Sequence, residues 1–215
     1  MSDQKETTLS FLIADLAGYT ALTEIHGDQS ALELIEKYLT FVQQSLSLNV
    51  SLVERVGDEV LIVSEDSDSL ADTALKLLDK IEDELHFPSL HLGLHTGPVI
   101  KKNGKYFGHT INLTSRICSY SKGGQILCSQ KFINSIKSKF NYNLMKIGNV
   151  IFKNVREEIV LYSIVPKINK EYIVVDPVCH MQLDKRSAPI KLTLDRNDFY
   201  FCSHDCKEKF NSFSQ

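Results

Sequence analysis

Apolar positions along most of the chain alternate between strand-like runs and helical spacing. Residues 8–14 are apolar almost throughout, which predicts a buried strand. Apolar side chains then recur at helical spacing over residues 28–46 and again over residues 68–85, which predicts two amphipathic helices. Pro88 is expected to stop the second helix. Strands and helices therefore alternate along this part of the chain.

Two apolar runs meet at Gly57-Asp58, a pair that suits a two-residue hairpin turn with glycine at its first central position. Side chains alternate along a strand, so one face of the first run is expected to carry Val50, Leu52, Glu54 and Val56. A carboxylate on that apolar face and another at the turn need an explanation. Either Glu54 pairs with a nearby cation and Asp58 is an ordinary turn residue, or both acids serve a functional site.

The hairpins that lie among the helices decide the fold class. Residues 90–96 alternate and predict a strand, which Gly97-Pro98 is expected to break. Later elements are expected as a helix after Gly108, a strand at 125–128, a helix at 131–137, and strands near 142–147, 151–152 and 159–165. The order from the first strand is β-α-β-β-α-β. This order predicts an α+β, ferredoxin-like sandwich, a mostly antiparallel sheet covered by helices, rather than a doubly wound parallel sheet.

Composition indicates the class of protein and its compartment. With 215 residues, 43% hydrophobic and 24% charged, the chain has room for one large or two unequal globular domains. The formal net charge of −3 gives no basic field for nucleic acid or for anionic membranes. No apolar run approaches the ~18 residues of a membrane span, and residues 1–8 are polar, so no secretory signal is visible. We therefore expect a cytoplasmic protein.

Cysteine is unevenly distributed, since three of the five cysteines lie close to the C-terminus, at Cys179, Cys202 and Cys206. Thiols are kept reduced in the cytoplasm, so metal ligation or plain burial is expected rather than disulfide formation. Residues 166–170 are polar and begin with proline, which predicts a linker. A second, smaller domain is therefore expected after this linker.

Candidate chemistry lies upstream of the linker. Asp15 ends the first strand and Asp58 tips the hairpin, so both carboxylates can meet at one edge of the sheet and hold Mg²⁺ beside phosphates. Asn112 and Arg116 are four residues apart on a predicted helix, where Asn112 can orient a sugar and Arg116 can neutralise charge on phosphorus. Lys153, between two strands, can bind a terminal phosphate. A strand cap, a solvated helix face and a loop lysine are the structural alternatives.

Six segments then occur in order: FLIADLAGYTALTE, VERVGDEVLIV, HLGLHTGPVI, YFGHTINLTSRI, GGQILCS and FKNVREEIVLYSIV. With them, residues 7–166 resemble the catalytic domain of class III nucleotidyl cyclases, the adenylate and guanylate cyclases. The resemblance implies α+β cyclase architecture and a reaction that converts a purine nucleoside triphosphate, ATP or GTP, to the 3′,5′-cyclic nucleotide and pyrophosphate. It also implies a head-to-tail homodimer with active sites at the interface.

The resemblance assigns a role to each candidate residue. Asp15 and Asp58 match the aspartates that bind two Mg²⁺ or Mn²⁺ ions per site. Asn112 and Arg116 match the pair that stabilises the transition state, and they come from the subunit that does not supply the aspartates. Lys153 matches the lysine that binds the triphosphate.

Two positions depart from the common adenylate cyclase pattern. Glu54 stands where that pattern has an adenine-reading lysine, and Lys105 stands where it has aspartate or threonine. Glutamate is what guanylate cyclases carry at the first position, whereas Lys105 does not match their small residue. Because Glu54 can only accept and Lys105 can only donate hydrogen bonds, the two together complement guanine better than adenine. The alternative is that Glu54 and Lys105 pair with each other, so that the base is recognised with little specificity.

The C-terminal part carries a second set of motifs, DPVC-x-M and YFCSHDCKEKF. Residues 173–213 thereby resemble the YHS/TRASH family of small metal-associated modules. The second motif is predicted to be a strand running into a helix, which brings Cys202 and Cys206 together. With Cys179 they make a thiolate set that suits Zn²⁺ or Cu⁺, and a small reduced core is the structural alternative. Two histidines are open choices for a fourth ligand, His180 and His204.

Two hypotheses follow from these motifs. The first is a cytoplasmic, dimeric, Mg²⁺-dependent nucleotidyl cyclase with a C-terminal metal-binding module, and all five matched residues favour it. The second is a non-catalytic cyclase-homology protein that binds nucleotide or metal and signals by contact. The unusual combination of Glu54 with Lys105 favours the second.

Overall fold

The computed structural model describes residues 6–167 and 170–213. The main sheet of this part has eight strands, β1 (Glu6–Leu16), β2 (Val50–Val56), β3 (Glu59–Ser64), β4 (Leu90–Lys102), β5 (Lys105–Phe107), β6 (Gln125–Ser129), β7 (Asn143–Val150) and β8 (Ile159–Val165). Their order is β2-β3-β1-β4-β6-β8-β7, and β5 pairs with β4. β4 and β6 run parallel, and the other neighbours are antiparallel.

Helices cover both faces of this sheet: α1 (Tyr19–Ser45), α2 (Ser67–Glu82), α3 (His109–Tyr120) and α4 (Gln130–Ser135), with a turn of 3₁₀ helix at Lys139–Asn141. Alternation along β1 separates the two faces. Leu12 packs with α1 and α2 in the largest apolar core, whereas Phe11 packs with Cys118 of α3. The order β1-α1-β2-β3-α2-β4 confirms the predicted ferredoxin-like α+β fold. None of the described helices combines the length and the apolar character needed to cross a bilayer.

The C-terminal module, residues 170–213, is built from two hairpin-like pairs and a helix. These are β9 (Ile173–Val175) with β10 (Gln182–Asp184), β11 (Ile190–Leu194) with β12 (Asn197–Phe201), and α5 (His204–Phe213). The predicted strand-to-helix transition is confirmed, with Cys202 and Cys206 at the junction of β12 and α5. Residues 168–169 of the predicted linker, and residues 1–5 of the polar N-terminal stretch, lie outside the described residues.

The C-terminal module is bound to the loop between α2 and β4 through its main chain. The Gln182 carbonyl accepts from the amide of His86 at 2.9 Å, and the Gln182 amide donates to the Phe87 carbonyl at 2.9 Å. The buried Gln182 side chain also donates to the carbonyl of Ile81 at 3.1 Å. Ser89 donates its amide to the carbonyl of His180 at 3.1 Å. This ladder fixes the module against one end of the main sheet.

Three predictions about strands were wrong. A β-bulge shifts the register between Leu52 and Glu54, so Glu54 pairs with Leu61 and lies on the opposite face from Leu52. β4 continues through Gly97-Pro98 to Lys102. At Pro98 it is paired with β1 alone, because β6 pairing ends at Leu94 and β5 pairing starts at Ile100, so a residue without an amide hydrogen is tolerated on the other side. Residues 151–152 belong to no strand, since β7 already ends at Val150 and a turn follows.

The predicted helix bounds also need correction. The first helix starts nine residues earlier than predicted, at Tyr19, and is kinked at Gly27, whose φ of 83° and ψ of 163° are not helical. The second ends at Glu82, well before Pro88, and Leu85 is 39% exposed rather than on its inner face. A lysine in the last turn and the Asp83 cap end α2 without help from proline. The helix predicted over residues 131–137 spans Gln130–Ser135.

Gly93 allows α3 to lie directly on β4, and its replacement is expected to destabilise the fold. A Cβ at Gly93 would lie 2.3 Å from the amide nitrogen of Cys118 and 2.8 Å from the carbonyl oxygen of Thr114. Since both are backbone atoms, Gly93→Ala should lower the free energy of unfolding by about 1–3 kcal/mol. Urea denaturation followed by circular dichroism measures this. Ser51→Ala, at an exposed strand position, is the control, and an equal effect of the two substitutions would contradict the prediction.

Candidate active site and C-terminal thiol cluster

The first group of candidate residues is a carboxylate pair at one edge of the main sheet. Asp15 is the penultimate residue of β1, and Asp58 lies in the two-residue turn between β2 and β3. Gly57 has a φ of 64°, which confirms the predicted turn with glycine at its first central position. The pairing of β1 with β3 brings this turn beside the end of β1. The two carboxyl groups consequently lie close enough to share a hydrogen bond.

The carboxylate pair carries negative charge without a neighbouring cation among the described residues. Burial, the charge of Asp58 and the hydrogen bond to it together raise the pKa of Asp15 to about 7. The pKa of neighbouring Glu59 is also raised, by burial and then by Asp58 and Glu54. Within the described residues, none of these four acids has a lysine, arginine or histidine nitrogen within 4 Å. Oxygen ligands in this arrangement are what Mg²⁺ and Mn²⁺ prefer.

Tyr38 of α1 fixes the strand end that carries the pair, and sequence reasoning missed it. Its side chain is fully buried and its hydroxyl donates to the carbonyl of Ala14, adjacent to Asp15, at 3.0 Å. The sequence did contain a signal for this contact, a tyrosine at a core position of an amphipathic helix. A buried tyrosine hydroxyl needs a hydrogen-bond partner, so such a position predicts a contact with a neighbouring polar group.

Glu54 and Lys105 are both exposed and do not pair with each other. The described ion pairs include neither residue, so the proposed mutual salt bridge is absent from this part of the chain. Glu54 lies on β2 beyond the bulge. Lys105 is the first residue of β5, and its main chain pairs with that of Lys102 in β4. Each side chain therefore retains its hydrogen-bonding capacity for a ligand.

The second group lies on the exposed side of α3. Asn112 and Arg116, one helical turn apart, line an open cleft of about 550 Å³. Phe152 forms part of the cleft wall and packs edge-on against Tyr120, with ring centroids 5.7 Å apart. Lys153 follows Phe152 in the turn between β7 and β8 and is exposed. The cleft thus presents the amide of Asn112 and the guanidinium of Arg116 to solvent. The ammonium group of Lys153 belongs to the residue that follows Phe152 of the cleft wall.

The structure brings the candidates together as two groups rather than one. Asp15 and Asp58 form the first, Asn112 and Arg116 the second, and neither aspartate lines the α3 cleft. A phosphoryl-transfer site needs metal-binding carboxylates and a cation for the transition state on the same substrate. One chain therefore presents the carboxylate pair and the amide-guanidinium cleft as separate groups.

The third group is a thiol cluster that includes a residue far from the C-terminal module. The sulfur of Cys202 lies 3.5 Å from that of Cys179, 3.5 Å from that of Cys206 and 3.6 Å from Nε2 of His26. These four ligand atoms all lie within 4.8 Å of one another. The two predicted histidines, His180 and His204, are not in this cluster. The ring of His180 packs against Gly18, and His204 is exposed at the start of α5.

Asp176 holds the two cysteine-bearing segments in place. Its carboxylate is fully buried and accepts the amides of Val178 and Cys202, each at 2.8 Å. The hydrogen bond from Cys179 lowers the pKa of Cys202 to about 6, and burial raises the pKa of Cys206 to about 12. The DPVC motif was identified in the sequence, but the role of its aspartate was not, because it depends on contacts 26 residues away.

Comparisons with known proteins agree with this architecture. The family model described as "Adenylate and Guanylate cyclase catalytic domain" matches residues 1–166, and the YHS domain model matches residues 174–212. A curated adenylate cyclase of Streptomyces griseus is 32% identical over 124 residues, which are 57% of this chain and 31% of that protein. The chain thus spans only about a third of the length of the curated relatives that it matches first.

Solved structures share the fold of the larger part. Adenylyl cyclase CyaB from P. aeruginosa superposes with a TM-score of 0.69 at 18% identity, covering 78% of this chain and 98% of that one. The guanylate cyclase domain of RhGC from Catenaria anguillulae in complex with GTP gives a TM-score of 0.63 at 21% identity, covering 76% and 100%. At these identities the similarity is evidence for the fold alone.

Proposed function

Because the chain belongs to the adenylate and guanylate cyclase catalytic domain family, we propose that it is a nucleotidyl cyclase. It converts a purine nucleoside triphosphate to the 3′,5′-cyclic nucleotide and pyrophosphate. The observation that carries the proposal is the contact between Asp15 and Asp58, which has no protein cation beside it in the described residues. We place the catalytic domain at residues 7–166 and the metal-binding module at residues 173–213, in a cytoplasmic protein.

Each half-site has a separate task in this reaction. The ribose 3′-oxygen bonds to the α-phosphorus while the bond from that phosphorus to the pyrophosphate oxygen breaks. Two Mg²⁺ or Mn²⁺ ions held by Asp15 and Asp58 would lower the pKa of the 3′-hydroxyl and balance the developing charge. Arg116 neutralises negative charge on the phosphorus in the transition state, and Asn112 orients the ribose. Lys153 binds the terminal phosphate.

The separation of the halves supports a homodimer. The carboxylate pair and the α3 cleft are distinct surfaces, since neither aspartate lines that cleft. In a two-fold symmetric, head-to-tail dimer, the pair of one subunit faces Asn112 and Arg116 of the other. Two equivalent sites then form across one interface.

The proposed activity is tested by assaying purified protein with ATP and with GTP, each with Mg²⁺ and with Mn²⁺. We expect cyclic nucleotide with at least one purine triphosphate. If the protein binds a nucleotide but forms no product with any purine triphosphate, the non-catalytic alternative holds instead.

GTP is expected to be the better substrate, because the unpaired Glu54 can accept hydrogen bonds from N1 and N2 of guanine. Glu54→Gln should lower kcat/KM for GTP by about 10-fold or more, the usual loss when a charged acceptor is replaced, and should change ATP turnover less. Initial rates over a substrate series measure this ratio. Glu65→Gln, another exposed acid near β3, is the control. Exclusive use of ATP by the wild type would refute the preference.

A further inference from the structure

The thiol cluster lies at a contact between the C-terminal module and helix α1. Leu22 and Ala31 of α1 share one buried apolar cluster with Cys206 and Phe201 of the module. Lys209 of α5 forms an ion pair with Glu24 of α1 at 2.7 Å. His26 therefore approaches the cysteines within an extensive packed contact.

Helix α1 is shaped so that His26 can reach this cluster. Gly27, with a φ of 83° and a ψ of 163°, interrupts the helix directly after the histidine. The segment from Tyr19 to His26 consequently runs in its own direction, and His26 is its last residue before the kink. The fourth side chain of the cluster thus comes from the larger part of the molecule, 153 residues before Cys179 in the sequence.

The distances from the Cys202 sulfur are close to those between ligands around a single ion, and all four ligand atoms lie within 4.8 Å of one another. Bonds of about 2.3 Å to sulfur and about 2.0–2.1 Å to nitrogen place the ligand atoms of a tetrahedral zinc site about 3.5–3.8 Å apart. The three contacts of the Cys202 sulfur, at 3.5, 3.5 and 3.6 Å, match this spacing. Hydrogen-bonded thiols alone would not require an imidazole nitrogen at the same distance.

We propose that Cys179, Cys202, Cys206 and His26 form one tetrahedral Zn²⁺ site that joins the C-terminal module to helix α1. Three sulfurs and one nitrogen in a closed set of four are typical of structural zinc, which needs no open coordination position. Asp176 supports the site from outside by fixing the main chain at Val178 and Cys202. The proposal rests on the cluster alone and does not depend on cyclase activity.

Binding of Co²⁺, a spectroscopic probe for zinc sites, tests the proposal on the full chain under reducing conditions. The wild type should bind one Co²⁺ at the cluster, seen as the ligand-field absorption of a tetrahedral site together with thiolate charge-transfer bands, and Zn²⁺ should displace it. His26→Ala should weaken binding by more than about 100-fold, the upper end of what loss of a supporting residue alone causes. His204→Ala, the matched control, should bind as the wild type does.

A second variant keeps the test decisive if His26→Ala folds poorly. His26→Cys supplies a fourth thiolate, so it should retain tight binding and gain thiolate-to-cobalt charge-transfer intensity over the wild type. The proposal is overturned if His26→Ala binds Co²⁺ with unchanged affinity and spectrum, or if His26→Cys gains no such intensity. Neither readout uses nucleotide turnover. A negative result would therefore overturn the zinc site without affecting the proposed cyclase activity, which is tested by the product assay.

Discussion

A mixture of the Asp58→Ala and Arg116→Ala variants is expected to form cyclic nucleotide although each variant alone is inactive. Asp58 belongs to the carboxylate pair and Arg116 to the α3 cleft, and the two surfaces are separate in one chain. In a mixed dimer, one of the two sites combines an intact pair with an intact cleft. The other site carries both substitutions.

The loss in each variant and the recovery in the mixture are both expected to be large. Each single variant should lose at least about 100-fold in kcat, because each removes a group that acts on charge in the transition state. Random exchange of subunits makes about half of the dimers mixed, each with one working site, so an equimolar mixture should recover about a quarter of wild-type activity. Product formation at fixed total protein, with saturating GTP or ATP and Mn²⁺, measures the recovery.

Two controls separate this result from general damage. Asp28→Ala, at an exposed acid with no described hydrogen bond, should retain wild-type activity. Both inactive variants should still dimerise, as judged by sedimentation. If they exchange subunits and the mixture remains inactive, the active site does not span two chains.

The sequence predicted those features that local patterns determine. The turn at Gly57-Asp58 follows from a glycine between two apolar runs, and the ferredoxin-like order follows from the alternation of strand and helix periods. The carboxylate pair follows in turn, because Asp15 ends one strand and Asp58 joins two that lie beside it.

Features that depend on a single extra residue or on distant contacts were not predicted. The bulge after Leu52 reverses the direction of Glu54, and nothing in the run VSLVERV distinguishes a bulged strand from a regular one. The continuation of β4 through Pro98 depends on how far its neighbour β6 extends. His26 was missed for the same reason, since no local motif indicates a cysteine cluster in a part of the chain that folds against it.

Loss of zinc from the proposed site is expected to release the C-terminal module from the larger part. The module has two pairs of short strands and one helix, too little buried surface for a segment of this size to fold stably without a metal or a comparable constraint. Structural zinc contributes about 10–16 kcal/mol of apparent binding free energy in zinc-finger peptides, so its removal should strongly destabilise the module. Hydrogen exchange should then rise at the amides of His86 and Gln182, which join the two parts.

The same release should lower cyclase activity. The ring of His180 packs against Gly18, three residues after Asp15, and the amide of Ala17 donates to the carbonyl of Ser89 at 2.8 Å. Ser89 in turn donates its own amide to the carbonyl of His180. The turn that follows Asp15 is therefore held partly by the module. A zinc-selective chelator, used with Mg²⁺ in excess, should reduce product formation and exchange protection together, and added Zn²⁺ should restore both.

Cys202→Ser separates the zinc site from other effects of the chelator. This variant should have raised exchange at Gln182 from the outset, unchanged exchange at the core amides of β1, and no further response to chelator or Zn²⁺. Cys202→Ser removes one of the four proposed zinc ligands and so should weaken zinc binding. If chelation leaves the exchange of His86 and Gln182 unchanged while removing the metal, then apolar packing against α1, rather than zinc, holds the module in place.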